Sequence, residues 1–179
     1  VVLMFIGGCA GSTAGGPKVI RMLVGWAAMM REVRLTFSPN AVVAIMIGIF
    51  LITHGSLGES LVQCACHVLN KRPPQIAQLG VSGQDDPLDA LPLAREMMKL
   101  VDTGEGVLLL TDIFGATPSN IALKLMQPGR VEGVAGVNLP MLLRALTYRE
   151  KDMETLVNKA VAGGRDGVML MKGARDAQG

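Results

Sequence analysis

The sequence predicts a doubly wound α/β fold: a mostly parallel five-stranded sheet with helices on both faces, preceded by a helical, membrane-protein-like N-terminal segment. Three observations carry this. From Met46 onward, short apolar runs alternate with helical patterns. The runs IGIFLIT (47–53) and VLLLT (107–111) lack polar alternation, as parallel strands covered on both faces do. Finally, charge divides the chain. Residues 1–45 carry Lys18, Arg21, Arg31 and Arg34 against Glu32, a balance of +3, whereas the remainder carries 13 basic and 14 acidic residues, a balance of −1. A length of 179 residues that is 50% hydrophobic suits one domain of ordinary size and excludes a disordered chain.

In chain order, the opening VVLMFIGGCAGSTAGG is apolar but interrupted by glycines, so it is neither a signal peptide nor a spanning helix of about 20 apolar residues. The absent initiator Met suggests a truncated start. Residues 17–35 follow with Pro17 at a first helical turn, an apolar run through Trp26 and Met29, and basic residues near both ends. That pattern suits an amphipathic or membrane-embedded helix. Ser38-Pro39-Asn40 is a turn signal, which puts the domain boundary at 45/46. Strands are then expected over 47–53, 75–81, 107–111, 130–136 and 167–171. Helices are expected over 57–70, 87–102, 118–126, 140–147 and 152–162, and residues 174–179 form a tail. Such β-α-β units join by right-handed crossovers.

In this architecture a ligand site lies beyond the carboxyl ends of the strands where the strand order reverses, which directs attention to the residues after Thr53 and Thr111. His54 follows the first strand, and Gly55-Ser56-Leu57-Gly58-Glu59 offers Ser56 as helix N-cap with Glu59 three residues on, a capping-box pattern. The unpaired N–H groups of a helix start favour an anion such as phosphate. Asp112 ends the third strand, with Thr117 as N-cap and Pro118 at the first position of the next helix. A carboxylate beside an imidazole fixes its tautomer, leaving the other ring nitrogen free to act as a nucleophile. Residue chemistry alone leaves open whether His54 and Asp112 form that pair or are a half-buried strand-end histidine and an ordinary loop acid.

Two segments resemble known families. FIGGCAGSTAGGPKVIRMLV, followed by REVRLTFSPNAVV, is similar to the last pore loop, inner helix and tail of Trk-type potassium uptake proteins. That resemblance implies that the loop around Gly11 corresponds to one quarter of a four-repeat filter. Pro17 stands where that family has Ile or Leu, and the other repeats are missing, so residues 1–45 are expected to be a fragment without transport activity. Residues 46–173 resemble the IIA domains of the mannose family of the bacterial sugar phosphotransferase system, through IGIFLITHGSLGESLV, LLLTDIFGATPSNIALKL and GVAGVNLPMLLRAL in order. The resemblance implies that His54 is phosphorylated on Nε2 and that Asp112 holds the other ring nitrogen. Gly55, Ser56, Thr117 and Ser119 would contact the phosphoryl group, and Phe114, Asn138, Pro140 and Met141 would border the partner surface. It further implies HPr as phosphate donor, a IIB component as acceptor, a cytoplasmic homodimer, and no cofactor, metal or nucleotide. In-line transfer between histidines asks mainly for positioning and charge stabilisation.

Other features read as structural. His67 sits within an apolar helical pattern, so packing or surface exposure is expected there. Cys64-Ala-Cys66 lacks a second ligand pair for a metal, and Cys9, Cys64 and Cys66 suit a reduced compartment. Arg144, Arg149 and Lys151 read as solvated charges at a helix end, and Met97, Met98, Met126 and Met141 as core or interface filler. The near-neutral second part argues against nucleic acid, and membrane contact is expected only through residues 1–45. Readings from other classes are a regulatory phosphoprotein, the phosphotransfer subunit of a dihydroxyacetone kinase, a potassium-transport protein with a regulatory domain, and a module binding a small anion without catalysis.

Overall fold

The computed structural model describes residues 46–82 and 86–171. The chain divides into two units between Ala44 and Ile45; the described residues all belong to the second. The expected pore loop and helix within residues 1–45, and the tail at 174–179, lie outside them.

Four strands form the sheet: β1 (Gly48–His54), β2 (Ile76–Val81), β3 (Val107–Thr111) and β4 (Val131–Ala135). All pair in parallel in the order β2-β1-β3-β4, with Ile49 opposite Ile76, Gly48 opposite Val107, and Val107 opposite Val131. Five helices accompany them: α1 (Leu57–Leu69), α2 (Pro87–Val101), α3 (Thr117–Leu123), α4 (Leu139–Tyr148) and α5 (Met153–Asp166). The apolar runs of β1 and β3 are central, and every residue from Gly48 to Thr53 and from Val107 to Thr111 is buried.

Strand period two sends alternate side chains to opposite faces. On one face Ile49, Leu51, Leu108 and Leu110 pack with Val62 and Ala65 of α1, Leu142 and Ala145 of α4, and Leu156 and Ala160 of α5. On the other, Phe50, Ile52, Val107 and Leu109 pack with Ala94 and Val101 of α2 and Ile121 and Ala122 of α3. Burying each such Leu or Ile contributes about 1.5–3 kcal/mol. Helices on both faces are thus as expected.

The fifth strand, expected at 167–171, does not form. Among the described residues the segment after α5 pairs with no strand, and Val168, Met169, Leu170 and Met171 are 79–93% exposed. A strand needs a neighbour to satisfy its N–H and C=O groups, and none of the described residues offers one to this segment.

Arg149, read from sequence as solvated, is only 7% exposed. Its guanidinium donates to the Pro74 carbonyl, and its own carbonyl accepts from the Ile47 N–H at 2.9 Å. It ties the end of α4 to the entry of β1. Burial pushes its pKa down, against the opposing charge of Glu150.

Candidate functional site

The strand order reverses between β1 and β3: β2 lies on one side of β1 and β3 on the other. The crevice outside the carboxyl ends of these two strands holds His54 and Asp112, as the sequence predicts. Asp112 Oδ2 lies 2.8 Å from His54 Nδ1 and accepts the His54 backbone N–H at 2.9 Å. One carboxylate oxygen therefore holds both the ring and the main chain of the histidine. The second oxygen accepts from the Ile113 N–H at 2.9 Å. Burial pushes the Asp112 carboxyl upward, but the His54 N–H, the imidazole and the Ile113 N–H outweigh it and hold it below the usual carboxylate range. An aspartate held in its ionised form can only accept, so the short contact is made with a protonated Nδ1; in the neutral ring that arrangement puts the lone pair on Nε2. The His54 side chain is 40% exposed and that of Asp112 13%, so the base is sheltered while the ring is open to a partner.

The turn after His54 is shaped by its surroundings. Gly55 adopts φ +52° and donates to the Val81 carbonyl at 2.9 Å. Its carbonyl lies so close to Gly80 of β2 that a Cβ at position 80 would collide with it. Ser56, expected as N-cap, makes no side-chain cap bond: its φ of −95° and ψ of 8° depart from the extended backbone a capping residue needs. Thr53 does that work instead. Its buried Oγ1 accepts the Gly58 N–H at 2.8 Å, joining the end of β1 to the start of α1. Ser56 is exposed with its hydroxyl free of the cap.

The second loop departs from expectation in the same way. Ala116, extended at φ −102°, ψ 176°, is the N-cap of α3 and has no side chain to contribute, while Thr117 is the first helical residue, ahead of Pro118. Ser119 is 3% exposed; its Oγ accepts the Gly115 N–H at 2.8 Å and donates to the Ala116 carbonyl at 2.9 Å. Phe114 stands 73% exposed and Ile113 57%.

Of the other residues expected at a partner surface, Pro140 is exposed. Asn138 caps α4, accepting from the Met141 N–H at 2.9 Å and donating to the Gly164 carbonyl at 3.0 Å. Met141 is 4% exposed and belongs to the core. The structure therefore gathers His54, Gly55, Ser56, Asp112 and Phe114 on the loops that follow β1 and β3, with Thr117 and Ser119 in the first turn of α3. Sequence reasoning missed Thr53 and Gly80: a Thr immediately before a strand-end His is a usable signal, whereas nothing local marks Gly80. His67 is exposed on α1, outside these loops, and Cys64 and Cys66 are free thiols. Among the described residues, no group of three or more His, Cys, Asp or Glu is placed to hold a metal, and no helix is long and apolar enough to cross a membrane.

Residues 48–161 match the family described as the PTS system fructose IIA component. Over 133 residues the chain is 32% identical to the PTS system mannose-specific EIIAB component of Escherichia coli (strain K12), an alignment covering 73% of this chain and 40% of that protein. The chain thus spans less than half the length of that relative. The mannose/sorbose-specific IIA subunit of the phosphotransferase system from Enterococcus faecalis superposes with a TM-score of 0.64 at 21% identity, covering 71% of this chain and 96% of the other. A separate stretch of 47 residues is 51% identical to the Trk system potassium uptake protein of Halomonas elongata, taking in 26% of this chain and 10% of that protein. With the matched segment enclosing the whole sheet and both loops of the crevice, the chain belongs to the fructose and mannose IIA family of the phosphotransferase system.

Proposed function

We propose that this protein is a phosphohistidine carrier of the sugar phosphotransferase system, accepting a phosphoryl group from HPr on His54 Nε2 and passing it to a IIB component. The observation that carries the proposal is the single Asp112 oxygen bonded to both Nδ1 and the backbone N–H of His54. As transfer proceeds, the phosphorus–nitrogen bond in the donor breaks and one to Nε2 forms. The imidazole takes on positive charge while Nδ1 keeps its proton, and the ionised Asp112 stabilises it. The in-line reaction asks for positioning and charge balance rather than a nucleotide or metal. Gly55 and Ser56, at the start of α1, and Thr117, at the start of α3, are its proposed phosphoryl contacts; Ser119, expected among them, has its hydroxyl taken by Gly115 and Ala116 and is proposed to act through the loop instead. Exposed Phe114 and Pro140 suit the rim where partner proteins approach, with Asn138 and Met141 fixing the helix behind it.

Incubation with radiolabelled phosphoenolpyruvate, enzyme I and HPr tests this reading. Acid-labile label is expected on the wild type and on His67→Ala and absent from His54→Ala; label surviving on His54→Ala would refute it.

The working form is proposed to be a cytoplasmic homodimer. Among the described residues the apolar segment 168–171 is exposed and has no ladder partner, while β4 ends the sheet, so a second copy would offer each a neighbour. Sedimentation of the intact chain should give a dimer and of a chain ending at residue 166 a monomer. A monomer in both cases would rule the dimer out.

A further inference from the structure

Resting on that reading of His54, we propose that Ser119 is a positioning residue for phosphoryl transfer, a two-way hydroxyl link that holds the loop between Asp112 and α3 in its working shape. The loop is anchored at its strand end by Asp112, which bonds His54 and the Ile113 N–H. At its helix end the anchor is Ser119. Its hydroxyl accepts from the Gly115 N–H at 2.8 Å and donates to the Ala116 carbonyl at 2.9 Å.

Between these anchors the chain carries two exposed apolar residues, Ile113 and Phe114, and passes through Gly115 at φ +87°. Nothing in the burial of Ile113 or Phe114 restrains this tip. The N-cap Ala116 has no side-chain oxygen with which to cap the helix. A hydroxyl is the smallest group that accepts and donates at once, and at 3% exposure Ser119 does so where water competes little. Its proton is directed to Ala116, so it acts on the phosphoryl group through the loop.

Ser119→Ala removes both bonds with almost no change of volume. The expected result, with phospho-HPr as donor, is a roughly tenfold lower kcat for phosphoryl transfer, the loss of one to two hydrogen bonds' worth of positioning. KM for the donor should change less than kcat, since no side chain of the exposed rim is removed. Ser119→Thr keeps the hydroxyl, and Ser119 borders a groove lined by Phe114, Ala122, Leu123 and Met126; the Thr variant should restore most of the rate. Amide exchange at Gly115 should be faster in the Ala variant than in the wild type and Thr variant.

Unchanged kcat in Ser119→Ala would overturn the proposal. So would a phosphorylated Ser119→Ala protein whose phosphorus resonance and hydrolysis rate shift as for a lost direct contact. Failure of the underlying reading is separable: the wild type would then take no label on His54, while Gly115 exchange would still report on the hydroxyl link.

Discussion

Replacing Asp112 by Asn tests the core of the site while keeping its shape. In the native protein Oδ2 serves two His54 donors at 2.8 and 2.9 Å, and Oδ1 serves the Ile113 N–H at 2.9 Å. An asparagine can place its carbonyl oxygen toward His54, but its amide then faces the Ile113 N–H, donor against donor. The interaction with the ring also changes from charge-assisted to neutral. Hydrogen bonds to charged groups contribute about 1.5–3 kcal/mol against about 1 kcal/mol for neutral ones. The charge on Asp112 matters most when the phosphoryl group reaches Nε2 and the imidazole becomes cationic. The difference, a loss of about 0.5–2 kcal/mol in the transition state, corresponds to a rate about twofold to thirtyfold lower. Rapid-quench measurement of a single turnover from phospho-HPr reads this directly, with the urea midpoint establishing that the variant is folded. A folded Asp112→Asn protein that transfers at the wild-type rate would refute the reasoning.

Further predictions concern stability. Asp112 and Asp102 both have folded pKa values held below the usual carboxylate range. In each case burial raises the pKa and is outweighed by hydrogen bonds: from His54 and Ile113 for Asp112, and from Gly104, Arg130 and Gly106 for Asp102. Their stabilising contribution is complete above the unfolded value and is lost as pH falls through the lower folded values. The urea midpoint should therefore drop below about pH 4, and less steeply in Asp112→Asn. Leu142→Ala removes a side chain with no exposed surface from the α1–α4–α5 layer and should cost about 2–5 kcal/mol. Leu88→Ala, at a position 61% exposed, should stay within about 0.5 kcal/mol by the same urea titration. Arg130→Ala breaks an ion pair whose arginine side chain is 53% exposed and should cost less than about 1 kcal/mol, the difference shrinking in high salt.

What the sequence disclosed follows from the physics of each element. IGIFLIT and VLLLT read correctly as strands because burial on both faces leaves an uninterrupted apolar run, and their carboxyl ends located His54 and Asp112 before any geometry was available. The caps read less well. Ser56 and Thr117 have the right chemistry, but capping depends on backbone angles set by the His54–Gly55 turn and by Ala116, which tertiary contacts such as Gly80 against Gly55 impose. Asn138 carried a readable signal, an Asn two residues before a Pro at a helix start, and the structure shows it capping α4. The burial of Arg149 was invisible, because its partner Pro74 is distant in sequence. Segment 167–171 has strand composition but pairs with no strand among the described residues, since pairing belongs to two segments and composition to one.

The most direct test of the central claim is the position of phosphate on the ring, read by proton–nitrogen correlation NMR of the phosphorylated, nitrogen-labelled protein. Phosphate on Nε2 of His54, with a protonated Nδ1 held by Asp112, is the predicted result. Phosphate on Nδ1, or an unmodified His54 in a folded protein incubated with phospho-HPr, would contradict it.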